Sequence, residues 1–454
     1  MTNATERLSD FAAQLKFEDL PEQVVEQTKM FIADYIAAAL AGCKANAYVN
    51  AAVLSLIDEM GGAEQSSVLF ARKKYPISNA AFVNALYSHG ADMDDGNRKA
   101  AGHIGTHVMS AVFALSQTLS VSWEDLFVAI NVGYEVFNRV AGAAQPSLYN
   151  KGFHSTSIAG SVACAAACGK LLGLDSACIY NAMSLGAIQS NGLIIIDESG
   201  QACKPINPAN AARTGVISAQ LAAKGINSSR NPLESKKGWF NAFSDSVDEE
   251  ELLGGLGEQF TICECYLKLY PTCRHTHCGI EAAINIRNRM LEHGRVLNDV
   301  ASIQVIIYPS AIKSAGSIKH PSTPEEAKFS IHYDLATALY YGKFGLSDLN
   351  CENTGAEVSE LIEKIELIPD NTMENRIAGI RGAKVIVKLS DGMAEEETIV
   401  IPKGEASKPF TWDDIRVKMD ACAEGLEVET QGLVDTIRNL DTSKPFSTWM
   451  SWIQ

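Results

Sequence analysis

The chain reads as a mainly α protein in two parts, a large all-helical body and a smaller α+β unit. Three observations predict this. Residues 1 to about 260 carry one apolar, helix-periodic segment after another, punctuated by Gly, Pro and Ser/Asp caps. After about 260, short alternating runs rich in Ile and Val begin. A length of 454 residues also exceeds one ordinary core, so two domains are expected. Hydrophobic residues make up 46% and charged residues 20%, which is globular rather than disordered. Ala, Leu and Ile dominate while aromatics reach only 7%, which favours helices packed through small side chains.

In order along the chain, Pro21 opens a helix through VVEQTKMFIADYIAAALAG, with Pro near the first turn. Ser78 is expected to cap NAAFVNALYSH. Ser122 with Asp125 resembles a capping box before LFVAINVGYEVFNRVAG. The segment from Ser155 to Leu172 is almost wholly small or apolar, so it predicts one core helix, suited to close approach of a neighbour or a subunit. Asp175 starts the next helix. ANAARTGVISAQLAAKG predicts a helix ending on Gly225. Beyond 260, SIQVIIYPS and KIELIPD predict strands, and AKVIVKLSDGMAEEETIVIPKG predicts two strands around Asp391-Gly392. HCGIEAAINIRNRMLEHG and FSIHYDLATALYYGKFG are helical between them. The tail from Phe410 turns helical again and is expected to rejoin the first body.

The net charge of −16 and the absence of a basic face exclude a nucleic-acid binder. An acidic chain that takes an anionic metabolite must build a local cationic pocket, so clustered Lys, Arg and His are informative. The 11 cysteines are odd in number and sit mostly inside apolar helices, which predicts free buried thiols in a reducing compartment. MTNATERLSDF lacks a hydrophobic targeting core, and no run reaches the ~18 apolar residues of a membrane span. A soluble, cytoplasmic protein without membrane contact is expected.

Four segments offer chemistry. HGADMDDGNRKAAGHIGTH, from His89 to His107, places Asp92, Asp94, Asp95, Arg98 and Lys99 together with His103 in one Gly-broken loop between apolar segments. It reads as an acid/base loop or as a solvated surface loop. His103 and His107 are four apart, as helical zinc ligands are, but no HExxH is present and Gly105 disfavours a helix across the pair. His103 is therefore taken as the acid/base group and His107 as a helix-start or packing residue. The second segment, Lys151 to Thr156, sets His154 at a helix N-terminus, as a carboxylate holder or a capping residue. The third, Gly200-Gln201-Ala202-Cys203-Lys204-Pro205, makes Lys204 an anion clamp or an ordinary exposed lysine. The fourth, CECYLKLYPTCRHTHC over residues 263 to 278, invites a metal, but its spacing matches no common ligand pattern. Lys268, Arg274, His275 and His277 instead concentrate positive charge. No dinucleotide fingerprint, Walker loop or G-x-S-x-G elbow occurs, so no cofactor and no metal are expected. The set suits proton abstraction next to a carboxylate followed by loss of a leaving group.

These segments, in this order, resemble the MmgE/PrpD family, which includes 2-methylcitrate dehydratase, cis-aconitate decarboxylase and iminodisuccinate epimerase. HGADMDDG…HIGTHV is similar to its H-x-x-D-x-D-D…H-P-[GS] loop. GFHSTSIAGSVACAAACGKLLGLD, GQACKPINPANAARTGVISAQLAAKGI, YLKLYPTCRHTHCGIEAA and AKFSIHYDLATAL are similar to four further family segments, and together they span most of the chain. The resemblance implies a discontinuous helical domain (1–264 and 408–454), an inserted α+β lid domain (265–407), a homodimer and a small polycarboxylate substrate. It places Asp92 and His103 beside the reacting carbons and makes Lys204, Lys268 and His277 carboxylate binders. Arg274, His154 and Asp95 are further substrate-binding candidates, and Tyr270 or Lys268 would be the second proton carrier of an epimerase. Gly96, Ile104 and His332 depart from the family pattern, as do a loop one residue longer and the added charge of Arg274-His275. The implied activity is a cofactor-independent lyase, first a 2-methylcitrate-type dehydratase. The alternatives are a cis-aconitate-type decarboxylase, an epimerase, or a non-catalytic carboxylate- or metal-binding protein.

Overall fold

The computed structural model describes residues 3–71, 73–195, 202–375 and 380–447. Helix makes up 57% and strand 10%, and the strands of any length lie in the C-terminal region, so the fold is mainly α with a smaller α+β part. The chain divides into two compact units. One is built from the chain up to Leu267 and again from Thr411, the other from Lys268–Phe410.

The first unit is all-helical in its long elements. They are α1 (Ala4–Gln14), α2 (Glu22–Ala45), α3 (Ala47–Met60), α4 (Ile77–Gly90), α5 (Gly105–Ser116), α6 (Trp123–Ala143), α7 (Gly160–Leu171), α8 (Ser176–Ile188) and α9 (Ile206–Ala223). The second unit contributes α10 (His277–Glu292), β1 (Val300–Ile307), α11 (Ile331–Tyr341), α12 (Ala356–Glu363), β2 (Ile365–Pro369), β3 (Ala383–Leu389) and β4 (Ala394–Ile399). The chain then returns to the first unit with α13 (Trp412–Ala423) and α14 (Thr430–Arg438), and α13 packs on α2.

Small side chains set the helix spacing of the first unit. A Cβ at Gly215 of α9 would lie 2.1 Å from Cys164 Cβ of α7, so only glycine admits that approach. Gly42 of α2 and Gly90 of α4 meet in the same way, with a Cβ at Gly42 falling 1.8 Å from the Tyr87 carbonyl oxygen. Local signals act as expected at several ends. Ser122 and Asp125 form a reciprocal capping box, Asp175 accepts from the Cys178 N–H, and Gly225 follows α9 with φ of 83°. Two expectations fail. Ser78 is not a cap: α4 starts two residues earlier than that, at Ile77 after Pro76, whose fixed φ already supplies the turn. The small-residue run from Ser155 is a short helix, Ser155–Ile158, followed by α7 from Gly160, rather than one helix.

In the second unit the sheet order is β2-β1-β3-β4, with β1 parallel to β2 and antiparallel to β3. Ile303, Val305 and Ile307 alternate inward with Ala383, Val385, Val387 and Leu389, giving one buried face. Helix α10 covers β3 and β4 and packs against α11. Among the described residues no single helix is long and apolar enough to cross a membrane.

Candidate active site

The first unit gathers the acid/base residues. The last turn of α4 supplies His89, and the chain then leaves the helix through Asp92, whose φ of 55° is unusual for a residue with a side chain. Such backbone strain concentrates at functional sites. Asp92, Asp94 and Asp95 are all buried, so the segment is not a solvated surface loop. Lys99 is the exception and faces outward to Glu264.

The three carboxylates do different work. Asp92 Oδ1 lies 3.1 Å from Lys204 Nζ and 3.7 Å from His103 Nε2. Asp94 Oδ2 lies 2.7 Å from His89 Nδ1 and 3.4 Å from His103 Nδ1. Asp95, a candidate for substrate binding, gives both oxygens to the protein: the Gly105 N–H donates to Oδ1 at 2.8 Å and the Tyr134 hydroxyl to Oδ2 at 2.7 Å. It holds the first turn of α5 rather than offering a carboxylate to a ligand. Burial raises its carboxyl to about 7.

The surroundings fix the His103 tautomer. Its Nδ1 faces two acceptors, the Asp95 carbonyl at 2.8 Å and Asp94, so Nδ1 carries a proton and, in the neutral ring, Nε2 holds the lone pair. A basic nitrogen is thereby aimed toward Asp92 and Lys204. His154 stands close by, with its ring 6.3 Å from that of His89. Burial, and then the Lys204 ammonium, hold His154 well below the usual imidazole range. The Asn207 amide donates to its Nδ1 at 3.0 Å, so it presents Nε2–H as a neutral donor. His107 lies inside α5, fully buried against Phe137, and burial lowers it to about 3. It is a packing residue. Of the Lys204 segment, Gly200 and Gln201 lie outside the described residues.

A ligand atom from each of His89, Asp92, Asp94 and His103 lies within 4.8 Å of the others, a donor set of the type that takes zinc. Its atoms are already arranged as a proton network. Both Nδ1 atoms turn to the same Asp94 oxygen, and the Asp92 oxygen faces an ammonium. The cluster fits hydrogen-bonded proton transfer better than a ligand cage.

Two supports of this loop were not foreseen. Asp34 of α2 and Lys418 of α13 form a buried ion pair, and Lys418 Nζ also donates to the Met93 carbonyl at 2.6 Å, between Asp92 and Asp94. Gly96, which departs from the family pattern, pairs with Tyr266 through two backbone hydrogen bonds. A Cβ at position 96 would lie 2.4 Å from the Tyr266 hydroxyl oxygen. A phenol fills the space a side chain at 96 would enter. Ile104 is the buried residue just before α5, and His332 sits in the first turn of α11, where burial lowers it to about 4.

The second unit holds the remaining candidates. Lys268 is buried. Tyr270 packs edge-on against His277, with ring centroids 5.2 Å apart, and burial drives its phenol far above the usual range. It is a protonated donor and a poor base. Arg274, a candidate for substrate binding, has its guanidinium committed inside the unit. Nε and Nη2 donate to Glu405 Oε1 at 3.1 and 2.6 Å, and Nη1 donates to His277 Nδ1 at 2.8 Å. The cysteines of the 263–278 cluster are free thiols.

Comparison with known proteins finds two family domains in order along the chain. Residues 6–251 match the MmgE/PrpD N-terminal domain and residues 270–442 the MmgE/PrpD C-terminal domain. A cis-aconitate decarboxylase-like protein of Aspergillus oryzae is 26% identical over 99% of this chain and 97% of its own length. Human cis-aconitate decarboxylase is 26% identical over 97% of this chain and 92% of its own. An alkylcitrate dehydratase of a fungal species is 27% identical over 34% of this chain and 32% of its own. With both domains matched in order along nearly the whole sequence, the chain belongs to the MmgE/PrpD family.

Proposed function

We propose that the chain is a lyase for a small di- or tricarboxylic acid, working by proton transfer next to a carboxylate. The observation that carries this is the His103 arrangement. Nδ1 is tied to the Asp95 carbonyl, Nε2 keeps its lone pair, and Asp92 with Lys204 lies on that side of the ring. Nε2 takes the proton from the carbon beside the carboxylate. The Lys204 ammonium faces the enolate-like charge that develops. Lys268 and His277 are proposed, from the family correspondence, to hold substrate carboxylates.

Loss of water is the first reading, as in a 2-methylcitrate-type dehydratase: the carbon–oxygen bond breaks and hydroxide leaves with a proton as water. Loss of CO2 is the second, favoured by the full-length similarity to proteins named cis-aconitate decarboxylase. There the carboxylate leaves as CO2 and a proton is delivered to carbon. Epimerisation needs a second base, and the protonated Tyr270 phenol is poorly suited to that task.

Proton NMR of the purified chain in D2O, with citrate-type and aconitate-type acids, tests this. New vinyl signals with water lost identify a dehydratase; a vinyl product one carbon shorter identifies a decarboxylase. An α-proton signal that fades without a new alkene indicates an epimerase. No change with any acid sinks the lyase reading.

A further inference from the structure

The second unit contains a buried triad in which only His277 has a role in the proposed chemistry, while what Arg274 and Glu405 do for it is unassigned. Arg274, Glu405 and His277 are all buried, at 8%, 6% and 1% exposure, so their hydrogen bonds are not diluted by water. Arginine is a donor only and stays charged. Its Nη1 lies 2.8 Å from His277 Nδ1. That contact is favourable only if Nδ1 offers a lone pair. An imidazole protonated at Nδ1, whether neutral or cationic, would set N–H against N–H at hydrogen-bond distance. The other ring nitrogen, Nε2, lies 3.4 Å from the Thr272 carbonyl, an acceptor, which again places the proton on Nε2.

The guanidinium cannot drift off this duty. Glu405 Oε1 takes both Nε and Nη2, and the Lys403 carbonyl lies 3.3 Å from Nη2. The fork is planar, so two hydrogen bonds to one Glu405 oxygen, with the Lys403 carbonyl beside Nη2, fix where Nη1 aims. Glu405 also supplies the counter-charge that lets the arginine remain buried. The stretch carrying Glu405 lies more than 120 residues after His277, so this orientation is set by the folded unit and not by local sequence.

We propose that Arg274, braced by Glu405, is a positioning residue that locks His277 as a neutral imidazole with its proton on Nε2. In functional terms, which rest on the lyase reading above, His277 then meets a substrate carboxylate as a directed hydrogen-bond donor and not as a mobile cation. Arg274 acts through His277 and does not bind the substrate itself.

The test is a two-bond 15N–1H correlation spectrum of the full-length chain labelled at histidine, with His277 assigned by its loss in His277→Gln. The expected pattern is a protonated Nε2 and a bare Nδ1. Arg274→Met should convert it to a mixture of tautomers, while Arg274→Lys, which keeps a donor, should hold Nε2–H. A protonated Nδ1 in the unsubstituted chain overturns the proposal, and so does an unchanged pattern in Arg274→Met. The first of these readings needs no Arg274 variant to fold. In turnover, Arg274→Met should raise KM about tenfold or more, as for a lost hydrogen bond to a charged group, with kcat less affected. If the chain turns over no acid, the lyase reading fails while the spectrum still decides the tautomer lock.

Discussion

His103 and His277 are both enclosed histidines, one in each unit, and their partners hold them in opposite senses. His103 turns Nδ1 to a backbone carbonyl and a carboxylate, so its lone pair is on Nε2. His277 turns Nδ1 to a guanidinium, so its proton is on Nε2. One ring is prepared to accept a proton and the other to donate a hydrogen bond. The lesson is that residue type alone does not assign a role. The charge and donor character of one neighbour on the far side of the ring does.

The largest expected effect breaks this comparison at its reactive end. His103→Ala should lower kcat by about 10²–10⁴, the usual contribution of a positioned acid or base, without altering the circular dichroism of the fold. Retained turnover would remove His103 from the proton-transfer role and with it the contrast between the two rings.

A second effect of similar size concerns what holds the loop rather than what reacts. Lys418 and Asp34 are both fully enclosed, and Lys418 also fastens the Met93 carbonyl. Removing one member strands a buried charge. Lys418→Met should therefore destabilise the chain by about 3–5 kcal/mol in urea unfolding. Lys418→Met combined with Asp34→Leu replaces the pair by apolar groups and should recover most of that loss. Activity should remain low in the double variant, because the Met93 carbonyl stays unfastened between Asp92 and Asp94. A double variant that regains both stability and full turnover would make the pair structural only.

Much of this architecture can be read along the chain, and the unread part has a common physical origin. Helix periodicity, the Ser122–Asp125 box and the alternating strands are local patterns, and the structure follows them. The Asp/His loop is legible as chemistry because its polar residues sit between two apolar segments. His89 lies inside that motif, and its spacing from Asp94 across the end of α4 was a usable signal for their hydrogen bond. The partners chosen across the fold are not legible. Lys418 is 384 residues from Asp34 and Glu405 is 131 from Arg274, and no spacing rule connects them. Asp95 misleads for the same reason. It stands beside Asp94 in sequence but faces the start of α5, which only the folded helix supplies. Gly96 reads as a missing side chain until Tyr266 is seen in its place.

The smallest effect sharpens the division of labour among the loop aspartates. Burial, and then the charges of Asp94 and Asp34, raise the Asp95 carboxyl to about 7, while hydrogen bonds from Tyr134 and Gly105 pull it back. Its ordinary value is 3.8, so between roughly pH 4 and 7 the folded chain holds a proton there that the unfolded chain releases. Stability from this group is present below that window and is lost as pH rises through about 7, with a slope of at most about 1.4 kcal/mol per pH unit. His107 tilts the other way. Its folded value near 3 lies below the unfolded imidazole, so stability is lost as pH falls from 6.5 towards 3. Asp95→Asn keeps an oxygen for the Gly105 N–H and cannot ionise, while leaving His107 in place. Urea midpoints measured from pH 4 to 8 should therefore fall with rising pH more steeply in the parent chain than in Asp95→Asn. Parallel curves would mean that Asp95 is already ionised across this range, and the latch on α5 would then be charged rather than neutral.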